Sequence, residues 1–184
     1  IQNTGNILTS SVETGDAADI HIVCCATVFS NGPDAMIQAG GVTGETGNGG
    51  NVKVLADNSI VRNEGDILAG SSGWNQGTPG ESKVSAMDVV NNGAISGGAP
   101  SLYGPMTSDE YGDVSIAGDS VEFNAGCSVD ADSLLVLGRV VLVGGLGFRG
   151  IACDGVASWY STAGGTIDFS NTHTQNAIWC DGGS

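Results

Sequence analysis

The chain has 184 residues, of which 40% are hydrophobic and only 14% charged, with 31 glycines and a net charge of -15. That balance excludes disorder, which needs low hydrophobicity together with high charge, and so acidic a surface makes no partner of nucleic acid. No apolar run approaches the roughly 20 residues of a membrane-spanning helix, so no membrane insertion is expected, and the composition is too poor in Lys, Glu, Leu and Ala runs for a helical bundle.

In chain order, Asn3-Thr4-Gly5-Asn6-Ile7 comes first: an Asn, a Gly and then an aliphatic residue. Asp19-Ile20-His21-Ile22 follows as a short alternating strand. The same pair of signals then returns. Asn31 to Ile37 leads to a strand at Asn51-Val52-Lys53-Val54, a second strand at residues 58–62, and Asn63-Glu64-Gly65-Asp66-Ile67. Lys83-Val84-Ser85-Ala86 precedes Asn91-Asn92-Gly93-Ala94-Ile95, and Asp113-Val114-Ser115-Ile116 precedes the looser copy at Asn124. Thr166-Ile167-Asp168-Phe169 closes the series. Asn3, Asn31, Asn63, Asn91 and Asn124 follow one another at roughly 30 residues, as do Ile20, Val52, Val84 and Val114, and two patterns sharing one period mark an internal repeat.

Each unit reads as two short strands, the Asn-Gly motif leading into a third, and a loop. Strands this short bury their apolar faces only by stacking coil upon coil, about 4.8 Å apart. Asn and Gly suit the corners because both tolerate a left-handed backbone, and an Asn side chain can bond to its equivalent in the next coil. Pro33, Pro79, Pro100 and Pro105 fall in the Gly-rich connections and spare the strands. The expected fold is all-β: one β-solenoid domain over residues 1–184, of about six coils with three short strands each, long loops on one side, and looser, shorter coils over 131–184.

The units over residues 47–71 and 111–129 resemble the haemagglutinin-type repeats of filamentous haemagglutinin-like exoproteins, and the resemblance extends over residues 1 to about 130. It implies a right-handed parallel β-helix, secreted or on the cell surface, with a structural or adhesive role. The family's N-terminal secretion domain has no counterpart here.

The connections at Gly70–Gly80 and Pro100–Tyr111 are long, and in-register stacking makes them neighbours. They gather Trp74, Tyr103, Met106 and Tyr111, which either cover the flank of the solenoid or form a binding or assembly patch. Cys127, Cys153 and Cys180 recur at nearly equal intervals, close to one coil each. They read as a column in which two can pair, or as small buried fillers. Cys24 and Cys25 belong to another column and are candidates for an intermolecular contact or for packing. Five cysteines in a Lys-poor chain suit an extracellular setting.

Nothing in the pattern reads as an enzyme. The outward column through the first strands is expected to be His21, Lys53, Ser85, Ser115 and Asp168, with no two carboxylates on adjacent coils. Asp130 and Asp132, with Arg139 and Arg149 near in sequence, read as a solvated acidic pair. His173 has no nucleophile at a recognisable spacing. Calcium at Asp109, Glu110 and Asp113 has weak support without the nonapeptide calcium repeat. No cofactor is expected. Neither end of the sequence carries a recognisable cap, and without an initiator Met or a basic n-region Ile1 is expected to begin a processed or excised chain. The expected partner is therefore another copy stacked head to tail, Ile7, Ile20 and Ile22 of one against Ile167, Phe169 and Ile178 of the next. A fragment of a longer adhesin with a cell-surface or glycan ligand is the alternative, and a polysaccharide-active enzyme is a third.

Overall fold

Val52, Val54 and Val61 are fully buried while Lys53 is half-covered and Arg62 exposed, so this stretch alternates as a strand with one face in a core must. The computed structural model describes residues 1–73, 77–98, 112–124, 127–144, 150–153, 157–171 and 178–180. They form β1 (Gln2–Asn3), β2 (Asn6–Leu8), β3 (Ile20–Val23), β4 (Val28–Asn31), β5 (Met36–Gln38), β6 (Val52–Asn63), β7 (Asp66–Leu68), β8 (Ser82–Asn91), β9 (Ala94–Ser96) and β10 (Val114–Phe123). There follow β11 (Ser128–Ala131), β12 (Leu134–Gly144), β13 (Gly150–Cys153), β14 (Ala157–Asn171) and β15 (Ile178–Cys180).

The pairings are parallel, and among the described residues there is no helix. One sheet of eight strands runs β1-β4-β6-β8-β10-β12-β14, with β3 also on β6, and a second of seven runs β15-β13-β11-β9-β7-β5-β2. The protein is a parallel β-solenoid, as the repeat requires. The seven rungs of the second sheet differ slightly from the expected six coils. The three strands per coil are also modified. From Val52 onward the first two run on as one bent strand, its corner at the exposed Asp57 and Asn58, where the pairing of β6 with β8 shifts between Ala56 and Ile60.

The register corrects the spacing read from the sequence. Val84 pairs with Val54 and Ile116, while Val52 pairs with Ser82 and Ser82 with Val114. The slip is by an even number of positions, so the buried face is unchanged. The outward column changes: it runs His21, Lys53, Lys83, Ser115, Leu135, Ser158. Ser85 belongs to the next column, beside Leu55 and Ala117, and Asp168 pairs with Leu142 around the corner.

Two internal columns hold the coils together. In the second sheet Ile37, Ile67, Ile95 and Val129 are stacked in register and essentially inaccessible. Burying one such side chain stabilises by about 1.5–3 kcal/mol. At the corner, Asn3 donates from Nδ2 to Oδ1 of Asn31 at 2.8 Å, Asn31 to Asn63 at 2.8 Å, and Asn63 to Asn91 at 2.8 Å. Asn31 and Asn63 also donate to the carbonyls of Asp66 and Ala94. The recurring Asn is a continuous amide ladder, buried from Asn31 to Asn91. It ends where Phe123 takes the next in-register position and packs edge-to-face on Trp159 with centroids 5.9 Å apart. Asn124 lies one residue outside the column, and Asn91 donates instead to Sγ of Cys127 at 2.9 Å.

Candidate functional site

The loops after the second sheet leave the barrel through a glycine neck. Gly50 N–H donates to the Gly40 carbonyl, Gly70 to Gly50, Gly80 to Gly70, Gly98 to Gly80 and Gly112 to Gly98, all at 2.8–3.0 Å. The two chain segments at the root of each loop therefore interleave with those of the next coil. A side chain has no room there: a Cβ on Gly70 would overlap the Gly40 carbonyl oxygen, and one on Gly98 that of Gly70. Beyond the neck the second loop is itself layered between its neighbours. Val12 N–H donates to Gly41 O, Val42 to Ser71 O and Gly73 to Gly47 O, and Val42 and Ser72 are buried. The arms thus extend these coils as stacked plies, the described parts covering 9–19, 41–49, 71–73 and 77–79.

The neck sets where arms can exist. Ile20 to Val52, Val52 to Ser82 and Ser82 to Val114 each span about 30 residues, but Val114 to Leu134 spans only about 20. After Ala131 the chain passes directly into β12 with no arm. The roots of the two long loops, Gly70/Gly80 and Gly98/Gly112, are adjacent. Trp74, Tyr103, Met106 and Tyr111 lie outside the described residues, as do Asp109, Glu110, Arg149 and His173.

At the arm root a shallow groove is lined by Asn48, Thr78, Glu81, Asp113 and Asp132. Polar groups along this root hold coils together. Asp16 accepts from Asn48 N–H at 2.9 Å, Asp19 from Asn51 N–H at 2.7 Å, Asn51 from Glu81 N–H at 2.8 Å and Asp113 from Ser133 N–H at 3.2 Å. Among the described residues no group of three His, Cys, Asp or Glu side chains is arranged to hold a metal. Asp130 stands between Ser96 and Ala152 in register, with Asp132 beyond the end of β11, and Arg139 lines a separate groove at the strand corner with Asp57, Met87, Asp119 and Leu137.

Beside the acidic root lies a feature that the sequence spacing conceals. Lys53 and Lys83, the chain's only lysines, are partners on adjacent rungs, with His21 next to Lys53. His21 is 3.8 Å from Asp19, an ion pair once the imidazole is protonated. Aligning Val84 with Val52 hides Lys83, because it puts Ser85 in the lysine's place.

The cysteines separate into two kinds. Cys153 and Cys180 are in-register partners on adjacent rungs, and the residue preceding them in that column is Ala131. Cys127 lies before β11, outside the column, and is a free buried thiol, which corrects the three-membered column. Burial pushes its pKa up to about 12, partly opposed by the Asn91 hydrogen bond. Cys24 is free and buried, Cys25 free and exposed. Brief alkylation at neutral pH followed by peptide mapping should label Cys25 and leave Cys127 untouched until the protein is unfolded, because the thiolate is the nucleophile. Rapid labelling of Cys127 would mean that its corner opens readily.

The expected stacking residues divide as well. Ile7, at the free end of the isoleucine column, is 37% exposed, whereas Ile20 is covered within its own coil and Ile22 is half-covered. Ile167 is partly buried at the other end, and for Phe169 and Ile178 only the strand positions are described. No protein-family model matches the chain, and no curated protein or solved structure matches it either.

Proposed function

We propose that the protein is an extracellular structural or adhesive subunit that stacks head to tail into a filament. The observation that carries this reading is the apolar rim of the first described coil. The inner isoleucine column emerges into solvent at Ile7, next to Leu8 at 55% exposure, and β2 is the outermost strand of its sheet, with β15 outermost at the other end. An edge of unpaired N–H and C=O groups beside an apolar rim is a template for another strand. A contact of that kind between unlike ends propagates without closing. The net charge opposes assembly, but screening confines repulsion to about 8–10 Å at physiological salt.

The register selects the variant that tests it. Ile20 and Cys24 donate their N–H groups to the second coil, at Asn51 and Leu55, so alternation along β3 directs those of His21 and Val23 to the free edge. Val23 is 70% exposed. Val23→Pro should therefore leave the melting curve nearly unchanged while negative-stain images show filaments much shorter than the parent's. Filaments of parental length in this variant would rule out growth through β3. Isolated short rods from the parent at every salt concentration would favour the second reading, a stretch of a longer haemagglutinin-type adhesin whose own neighbouring coil covers that edge.

A further inference from the structure

We propose that Cys153 and Cys180 form a disulfide that ties the last two described rungs of the second sheet together. The inference rests on backbone register and is independent of the filament reading. Cys153 pairs with Cys180, Ala152 with Trp179 and Ile151 with Ile178, in one unbroken parallel ladder. Strands neighbouring in a sheet lie about 4.7–4.9 Å apart, and disulfides join Cα atoms about 4.4–6.8 Å apart. Two in-register cysteines on adjacent rungs meet that requirement without backbone movement.

The same register removes the competing pairings. Cys153 has Ala131 as its partner on the other side, so Cys127 is four positions along the neighbouring strand. Cys127 is also buried and engaged by Asn91. Cys24 and Cys25 follow β3, in the first coil, at the far end of the stack. Cys24 and Cys25, neighbours in the chain, are both free, one buried and the other exposed, so of the five cysteines Cys153 and Cys180 are the pair that the register brings together.

The ring it closes is one turn of the solenoid. Terminal units of a stack have a neighbour on one side only and open first, and β15 is the outermost strand of its sheet among the described residues. A covalent tie there converts fraying of the last rung into a step that requires reduction. The chemistry balances with an external disulfide as oxidant, such as oxidised glutathione. One cysteine thiolate attacks it and releases one glutathione thiolate. The second cysteine thiolate then attacks the mixed disulfide and releases the other. The two cysteine protons end on the two glutathione thiols, so two electrons pass from the protein to the oxidant.

The test uses the full chain, reduced and then equilibrated with oxidised and reduced glutathione. Free thiols are alkylated in denaturant and the protein is digested without reductant. The expected map contains one crosslinked peptide joining Cys153 to Cys180, with Cys24, Cys25 and Cys127 all alkylated, and an intact mass lower by two hydrogen atoms before alkylation. Reductant should lower the melting temperature of the parent and leave that of Cys153→Ser unchanged. Alkylation of both Cys153 and Cys180 after oxidation overturns the proposal, as does a crosslink from either to Cys127 or to a second chain. The parent's map decides the matter even if the serine variant does not fold.

Discussion

Replacing Gly70 by alanine is expected to destabilise the stack by about 3 kcal/mol or more, beyond the usual cost of overpacking because backbone is what must move. Its added methyl would overlap the carbonyl oxygen of Gly40, while its own N–H donates to Gly50. Relief by local shifts is blocked, since Gly80 and Gly98 depend on the same positions in the neighbouring coils. Gly5 is the control. Nothing lies within 4 Å of a Cβ built there, and its φ is not positive, so Gly5→Ala should stay within about 0.5 kcal/mol of the parent. Urea unfolding followed by circular dichroism compares the two. Equal midpoints for both variants would show that the neck is not closed.

The second large effect is a change of a single functional group. In Asn63→Asp the acceptor for Asn31 is kept, but the donor to Asn91 Oδ1 and to the Ala94 carbonyl is lost. At pH 7 a carboxylate would face two oxygens at a site with no solvent access, which costs about 3–5 kcal/mol. The neutral acid can donate again, so burial raises the folded-state pKa of the new group above its unfolded value of about 3.9. Stability relative to the parent is then fully present below that unfolded value and is lost as pH rises through the raised folded one. Melting curves of parent and variant at several pH values should converge in acid and separate toward neutrality. Asn58→Asp, at an exposed corner, should show no such divergence. A constant gap between the Asn63→Asp and parent curves would mean that water reaches the ladder.

Both sites bear on how much of the molecule is legible in its sequence. The Asn-Gly-Ile motif discloses the period, the corners and the buried column Ile37, Ile67 and Ile95 through local alternation, but the reason for its glycines differs from the left-handed bend expected. Gly5, Gly65 and Gly93 do not have positive φ, and a Cβ on Gly65 or Gly93 would instead overlap the carbonyl oxygen of Ala35 or Gly65 in the coil below. The register of the first strands is less accessible, since alternation fixes a face and leaves even-numbered slips open. Equating Val52 with Val84 consequently puts Lys53 and Lys83 in different columns. The bent strand β6 reads as two strands because Asp57 and Asn58 resemble a break, although the exposed outside of a corner tolerates them. Gly40, Gly50, Gly70, Gly80, Gly98 and Gly112 are visible throughout. They form two series, Gly40, Gly70 and Gly98 on one side of the loops and Gly50, Gly80 and Gly112 on the other, each recurring at about one coil, and the linear sequence does not disclose that the two interleave into one connected neck. The near-equal spacing of Cys127, Cys153 and Cys180 suggests three equivalent members, but the short route from Cys127 into β11 carries it off the column that Ala131 occupies.

The unequal coil lengths have a further consequence, best put in the language of crystals. From Ile20 to Val114 the chain behaves as a one-dimensional lattice with a repeat of about 30 residues, and from Val114 to Leu134 the repeat contracts to about 20. Phe123 and Cys127 lie at the grain boundary between the two. Within the first lattice, inserting or deleting one whole repeat is a translation that returns every asparagine to an asparagine and every neck glycine to a glycine. A single residue inserted into a strand is a dislocation, turning all the side chains beyond it inside out. No translation carries a unit across the boundary, because an asparagine in place of Phe123 would face Trp159 and a phenylalanine in place of Asn91 would leave Asn63 only one of its two acceptors, the Ala94 carbonyl. Growth and loss of coils by duplication are therefore open to the arm-bearing segment, while the residues around Phe123 and Cys127 form a joint that has to be inherited whole.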